Sequence, residues 1–121
     1  MTTENTKKTR TESDLIGARE VPYEVLYGVQ TLRGMENFPI SHFKLSQYPL
    51  FIKGLGVTKL GAVRANHKLG LIPDDMAKAI EQACLELIEG RHTEAFPVDM
   101  IQGGAGTTTH MNANEVIAHR A

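Results

Sequence analysis

The chain has 121 residues, of which 41% are hydrophobic and 22% are charged, and its net charge at pH 7 is −1. This composition is typical of one soluble globular domain with its own core, and the near-neutral charge disfavours nucleic-acid binding. Cys84 is the only cysteine, which excludes an internal disulfide and a cysteine-based metal site. No segment is apolar and long enough for a membrane span or a secretory signal, so we expect a cytoplasmic protein without a membrane partner.

The N-terminal third lacks the periodicity of long regular elements. Residues 1–13 are polar, without a hydrophobic period, and predict a flexible tail. Residues 15–40 are interrupted at short intervals by glycine and proline, which prevents a long helix and predicts an irregular arm. Within this arm, the segment YGVQTL at residues 27–32 is the best candidate for a short strand.

A long helix is predicted over residues 48–69. A proline suits its first turn, and apolar residues follow at broken three- and four-residue spacing. Gly54, Gly56 and Gly61 each lower the helix propensity by about 1 kcal/mol relative to alanine. We therefore expect these glycines to admit close packing of another helix, from this chain or from a partner.

The clearest helix is predicted over residues 73–88, which carry a proline and two aspartates at the start and one apolar stripe. Cys84 lies in that stripe, so it is predicted to be a buried hydrophobic residue and not a nucleophile. A loop over residues 92–106 and a last helix beginning at the threonines complete a mainly α fold with an irregular arm and a short strand pair.

The most informative motif is QGGAGTTTHMNANEV, residues 102–116. A helix start presents unpaired N–H groups and a partial positive charge, glycines let a ligand approach the backbone, and the three threonines add hydroxyl donors. The P-loop lysine and the third glycine of a dinucleotide-binding loop are missing, so a small carboxylate is a better ligand than a nucleotide. The alternative is an ordinary loop in which threonine caps the helix.

Other polar residues give weaker indications. His110 and His119 have no third ligand at metal-binding spacing, so no metal site is predicted. Arg19 and Arg33 are candidates for neutralising a dicarboxylate, with solvated surface positions as the alternative. Glu115 is expected to pair or to face solvent rather than to act as a base.

Two long segments resemble the N-terminal region of the class II fumarase/aspartase superfamily. They are DLIGAREVPYEVLYGVQTLRGMENFPIS at residues 14–41 and FPVDMIQGGAGTTTHMNANEVIAHRA at residues 96–121. The likeness covers residues 14–121 and implies the N-terminal domain of the fumarase/aspartase fold. Ala105, where fumarases typically have serine, makes the loop more similar to that of the aspartate ammonia-lyases. A fragment of a fumarase-type hydratase is the alternative.

The resemblance implies an enzyme that converts L-aspartate to fumarate and ammonia without a cofactor. Thr107 matches a threonine that contacts the dicarboxylate substrate in this family, and Thr108 is a second candidate. Gly104 and Gly106, together with Gly103, are expected to shape the substrate-binding loop. The family's enzymes are homotetramers with active sites built from three subunits, so a homo-oligomeric partner is expected.

The segments that carry the family's catalytic residues, among them a mobile serine loop, are not found in this sequence. We therefore expect no catalytic residue in the chain, and an isolated chain that is close to inactive, with Ala121 as a truncation point before the central helical bundle. The other possibilities are a non-catalytic binding or interaction module and a non-functional remnant. His110 and His119 replace asparagines that are usual in the family, and His110 would place a titratable group one helical turn from Thr107.

Overall fold

The computed structural model describes residues 8–121, which form a two-stranded sheet and four α-helices. In chain order the elements are β1 (Thr9–Asp14), β2 (Gly17–Pro22), α1 (Val29–Asn37), α2 (Pro49–Lys68), α3 (Asp74–Ile88) and α4 (Thr107–Arg120), with 3₁₀ turns at Leu45–Gln47 and Thr93–Ala95. The predicted mainly α fold with a short strand pair is therefore confirmed. No helix in this part of the chain is apolar and long enough to cross a bilayer.

The two strands form an antiparallel hairpin in which Asp14 lies opposite Gly17. The flexible tail predicted over residues 1–13 is therefore wrong for residues 9–13, which belong to β1, while residues 1–7 lie outside the described residues. Arg10 explains why this polar strand is ordered. Its guanidinium donates hydrogen bonds of 2.6–3.1 Å to four backbone carbonyls, that of Pro22 at the end of β2 and those of residues 23, 25 and 27 in the segment that follows.

The strand predicted for YGVQTL is wrong, because these residues lead into α1. Two carboxylates from distant parts of the chain accept its first N–H groups: Glu12 accepts that of Val29 at 3.2 Å, and Glu115 accepts that of Thr31 at 2.7 Å. A carboxylate at a helix N-terminus satisfies unpaired donors and the helix dipole. Glu115, expected to pair or to face solvent, is thus paired, and its partners are donors of α1. Gly28 leaves room for the two carboxylates, since a Cβ there would overlap an oxygen of each.

The helices predicted over residues 48–69 and 73–88 are confirmed as α2 and α3, which pack against each other as the most extensive helix pair. Gly56 admits the close packing that its position predicts: a Cβ there would lie 3.1 Å from the carbonyl oxygen of Cys84. Gly54 and Gly61 instead face open space. Cys84 is fully buried, as predicted, and burial raises the pKa of its thiol.

The core lies between α2, α3 and α4 and includes the loop that precedes α4. Its largest fully buried side chains include Phe96, Leu45, Ile52, Leu87 and Val116. The backbone near Leu45 is tied to this loop, since the Leu45 N–H donates to the Val98 carbonyl at 2.9 Å. Residues 96–98 are therefore fixed in the core, and the segment that connects them to α4 starts from a rigid base.

Candidate functional site

The loop of residues 99–106 leads from the core to the first turn of α4, and the helix predicted from the threonines is confirmed there. Gly106 occupies the position before the helix with φ of 71°, in the left-handed region that favours glycine. Its N–H donates to the Gly103 carbonyl at 3.2 Å, which closes the turn. Since Gly106 is the cap residue, the alternative in which a threonine side chain caps this helix is wrong.

Asp99 fastens the beginning of this loop to residues 40–42. Its carboxylate accepts N–H groups from Ser41 at 2.8 Å, His42 at 3.0 Å and Ile101 at 2.8 Å, and the Ser41 hydroxyl at 2.7 Å. Burial by itself would raise the pKa of Asp99, but the hydrogen bonds from Ile101 and Ser41 outweigh it and hold the pKa far below its ordinary range. Asp99 is thus a permanent anion that anchors the loop. The sequence analysis missed it, although a lone aspartate inside the apolar run FPVDMI is a signal for a paired buried carboxylate.

Gln102 joins this anchor to α4. Its side-chain Nε2 donates to the Asp99 carbonyl at 2.9 Å and to the Thr109 hydroxyl at 2.6 Å, and its Oε1 accepts the Thr109 N–H at 3.0 Å. Within residues 8–121, neither the Thr107 N–H nor the Thr108 N–H donates a hydrogen bond. The first turn of α4 therefore keeps two backbone donors available, as expected for an anion site at a helix start.

The structure brings Thr107 and Thr108 together at a small cavity of about 160 Å³ between α1 and α4. Gly34 of α1 allows this close approach, since a Cβ there would lie 2.5 Å from the Thr108 methyl group. The cavity is lined by Ile16, Gln30, Arg33, Gly34, Asn37, Phe38, Thr107, Thr108 and Met111. The predicted ligand residues Gly104 and Gly106 do not line it; their role in substrate binding stays a prediction.

Of the two arginine candidates, the structure places Arg33 at the cavity and Arg19 away from it. Arg33 forms a bidentate ion pair with Asp14 at 2.9 and 3.0 Å, with only 15% and 11% of the two side chains exposed. The hydrogen bond from Arg33 is the main reason that the pKa of Asp14 is lowered. Arg19 forms an exposed ion pair with Glu36 at 2.8 Å. The positive charge beside the cavity is therefore already paired with a carboxylate of the same chain.

The two histidines make separate contacts. His110 is exposed on the first turns of α4, with Nδ1 3.2 Å from the Lys59 ammonium. His119, near the end of α4, places Nδ1 2.7 Å from the Leu26 carbonyl and Nε2 3.4 Å from Glu12. His110 thus lies close to the candidate loop without lining the cavity, whereas His119 belongs to the contacts that support α1.

Comparison with known proteins matches this chain to longer enzymes. A family model described as lyase matches residues 17–121. The chain is 53% identical to an aspartate ammonia-lyase of Pseudomonas aeruginosa over 112 residues, which are 93% of this chain and 24% of that protein. It is 49% identical to a class II fumarate hydratase of Halobacterium salinarum over 112 residues, 93% of this chain and 23% of the hydratase.

A solved structure of a fumarate lyase:delta crystallin from Brucella melitensis superimposes with a TM-score of 0.92 at 45% sequence identity, covering 93% of this chain and 26% of that structure. The chain spans about a quarter of the length of the curated relatives that it matches. The matched residues include the loop of residues 99–106, Thr107, Thr108 and all of α4. The chain therefore belongs to the lyase family that contains the aspartate ammonia-lyases and the class II fumarate hydratases.

Proposed function

We propose that this chain is the N-terminal part of an aspartate ammonia-lyase and that its Thr107 and Thr108 bind a carboxylate of L-aspartate. The observation that carries the proposal is the first turn of α4, where two threonines with available N–H groups border a cavity. The 53% identity to the P. aeruginosa aspartate ammonia-lyase supplies the substrate class. The groups that remove the proton and release ammonia belong to the remaining three quarters of such an enzyme.

Negative charge develops on the substrate carboxylate when a proton leaves the neighbouring carbon. The Thr107 and Thr108 N–H groups, at the positive end of α4, are suited to stabilise that charge, because their positions are fixed before the substrate binds. The anchor at Asp99 and the turn closed by Gly106 hold the loop in this form. The chain's own contribution is thus binding and charge stabilisation, without a cofactor.

A fumarase-type hydratase is the second candidate, and the 49% identity to the H. salinarum enzyme favours it. Both reactions use a four-carbon dicarboxylate, so the same helix start suits either one. Ala105, at the position where fumarases typically have serine, favours the aspartate reaction. Activity with L-aspartate against activity with malate separates the two candidates.

We also propose that the complete enzyme is cytoplasmic and a homo-oligomer, namely the homotetramer that the family resemblance implies. The outer face of α2 supports assembly, because Leu50 and Val57 are 81% and 52% exposed there and Gly54 and Gly61 face open space. An exposed apolar helix face of this kind is usual at protein–protein contacts.

The test is a chimaera in which residues 8–121 of this chain replace the matching N-terminal quarter of the P. aeruginosa aspartate ammonia-lyase. We expect it to form fumarate from L-aspartate. Thr107→Val, which removes the hydroxyl and keeps the backbone N–H, should lower kcat/KM by roughly 10²-fold. Thr58→Val is the matched control, because Thr58 lies on the exposed surface of α2, where its hydroxyl donates to Gly54.

Three results would change the proposal. A chimaera that hydrates fumarate and leaves L-aspartate untouched would favour the hydratase. An active chimaera in which Thr107→Val behaves like Thr58→Val would exclude the Thr107 hydroxyl from substrate binding and leave only its backbone N–H as a candidate donor. A correctly assembled chimaera without either activity would support a non-catalytic module.

A further inference from the structure

The side chain of Gln102 lies between the anchored part of the loop and the first turn of α4. We propose that Gln102 is a positioning residue that reserves two amides of α4 for one carboxylate by occupying the third. This inference rests on the proposed function, since it names the residue that decides which donors the loop offers. Nothing in the sequence motif itself marks Gln102 for this role.

The carboxamide of Gln102 uses both of its ends, and its orientation is fixed. Nε2 donates to two oxygens, the Asp99 carbonyl at 2.9 Å and the Thr109 hydroxyl at 2.6 Å, while Oε1 accepts the Thr109 N–H at 3.0 Å. If the amide were turned over, a donor would face the Thr109 N–H and an acceptor would face the Asp99 carbonyl. Only one orientation of the side chain therefore satisfies its neighbours.

This arrangement divides the donors of the first turn of α4. The His110 N–H donates to the Gly106 carbonyl at 3.2 Å, and the Thr109 N–H is taken by Gln102. The N–H groups of Thr107 and Thr108 are left for a ligand. Two adjacent donors match the two oxygens of a carboxylate, whereas a tetrahedral anion such as sulfate gains from a third donor. Gln102 thus favours carboxylates by withholding the Thr109 N–H.

Gln102 is held from the core side of the loop. The carboxylate of Asp99 is fixed to residues 40–42, and its own backbone carbonyl is the acceptor that holds Gln102 Nε2. The three glycines at residues 103, 104 and 106 come after this contact and before α4. Gln102 therefore bridges the glycine segment and keeps the start of α4 in register with the anchored residues.

The experiment uses the ¹⁵N-labelled 121-residue chain and follows individual amides by NMR, with succinate as the carboxylate probe and sulfate as the tetrahedral probe. The variants are Gln102→Leu, which removes all three hydrogen bonds, and Gln102→Glu, which keeps an acceptor for the Thr109 N–H. Gln82→Leu on the exposed surface of α3 is the matched control. Hydrogen exchange of the Thr109 amide reports the contact, and shifts of the Thr107 and Thr108 amides report binding.

We expect Gln102→Leu to speed exchange of the Thr109 amide by about tenfold. Succinate binding should weaken by about fivefold, because the start of α4 loses its link to the anchored residues, and the preference should shift toward sulfate, because one more donor becomes available. Gln102→Glu should keep Thr109 protected while weakening both anions by about tenfold, because it adds a negative charge beside the ligand. Gln82→Leu should change neither exchange nor binding. The Glu variant separates the role of the acceptor from a general loss of structure.

Unchanged exchange of Thr109 in Gln102→Leu would overturn the inference, because the contact would then not exist in solution. Faster exchange with an unchanged ratio of succinate to sulfate affinity would also overturn it and leave Gln102 a purely structural residue. If succinate does not shift the Thr107 and Thr108 amides of the wild-type chain, this would instead contradict the carboxylate-binding function. It would also contradict the selectivity proposed for Gln102. In that case, hydrogen exchange of the Thr109 amide still shows whether Gln102 contacts it in solution.

Discussion

Residues 9–37 and the helix pair α2–α3 are held together in different ways. In residues 9–37, charged side chains bind backbone groups and one another: Arg10 holds four carbonyls, Asp14 holds Arg33, and Glu12 holds the start of α1. In the helix pair, apolar side chains such as Ile52 and Leu87 are buried against each other. The first region depends on exact placement of a few polar atoms, and the second on the burial of a repeated apolar pattern.

The two regions also differ in how far apart along the sequence their contacting residues lie. The residues of α2 and α3 find each other across a short turn, so their periodicity is enough to predict them. The start of α1 instead finds Glu115, which is separated from Gln30 by 85 positions. Both regions form regular elements, although only α2 and α3 show it in their local sequence.

The largest effect that separates the two regions is expected from Gly28→Ala. The added Cβ overlaps the carboxylates of Glu12 and Glu115, so both must move away from the N-terminus of α1. We expect a loss of about 3 kcal/mol in the free energy of unfolding, from overpacking and from weakened charge-assisted hydrogen bonds. Urea denaturation followed by circular dichroism measures it.

Gly104→Ala is the control for this comparison, since a Cβ at Gly104 contacts nothing within 4 Å. It should change the free energy of unfolding by less than about 0.5 kcal/mol. Equal stabilities of the two variants would mean that the carboxylates do not support α1 as described.

A smaller effect is expected from acid. It should be larger in residues 9–37, where two carboxylates have a lowered pKa, than in α2 and α3, where only Glu86 has one. Hydrogen bonds from Arg33 lower the pKa of Asp14, and hydrogen bonds from Thr11 and Thr9 lower the pKa of Glu20, from ordinary values of 3.8 and 4.5. Because the folded chain binds protons less readily than the unfolded chain, this stabilisation is complete above the ordinary values. It is lost as the pH falls below them through the lower pKa values of the folded state.

Amide hydrogen exchange between pH 6 and pH 3, corrected for the intrinsic pH dependence of exchange, tests this expectation. Protection of the hairpin amides should fall more steeply than protection of α2 and α3, and Asp14→Asn should flatten the hairpin's dependence on pH. Asp75→Asn, at an exposed position of α3, is the matched control and should leave the hairpin profile as it is. A uniform loss of protection across the chain would show that the two regions share one response to acid.

The same contrast explains which parts of the fold follow from sequence. The helices α2, α3 and α4 were predicted from periodicity and from their start signals, and Cys84 from its place in an apolar stripe. The strand β1 was missed because its order comes from the four carbonyls that Arg10 binds, not from hydropathy. The segment YGVQTL, whose last four residues begin α1, was predicted as a strand because β-branched and aromatic residues favour one. The carboxylates that cap the helix there come from Glu12 and Glu115.

In the candidate site, too, some residues could be predicted from the sequence and others could not. Glycines and threonines before a helix predict an anion site, and the structure brings Thr107 and Thr108 together at a cavity. The residues that hold the loop in place, Asp99 and Gln102, were not predicted. The apolar run around Asp99 indicates that its carboxylate is paired, but the backbone groups that both side chains bind have no signature in the sequence. Local chemistry is visible in a motif, whereas its support depends on tertiary contacts.

The smallest effect, and the one with the opposite sign, is expected from Gly61→Ala on the outer face of α2. Nothing lies within 4 Å of a Cβ at Gly61. Because alanine favours a helix over glycine by about 1 kcal/mol, the isolated chain should gain roughly 0.5–1 kcal/mol in its free energy of unfolding.

The same substitution in the P. aeruginosa chimaera tests whether Gly61 contacts a partner subunit. If Gly61 is kept for close packing with a partner subunit, Gly61→Ala should stabilise the isolated chain and weaken assembly of the chimaera, measured by light scattering. A gain in stability with unchanged assembly would place the partner contact elsewhere, and a loss in the isolated chain would mean that Gly61 already packs within it.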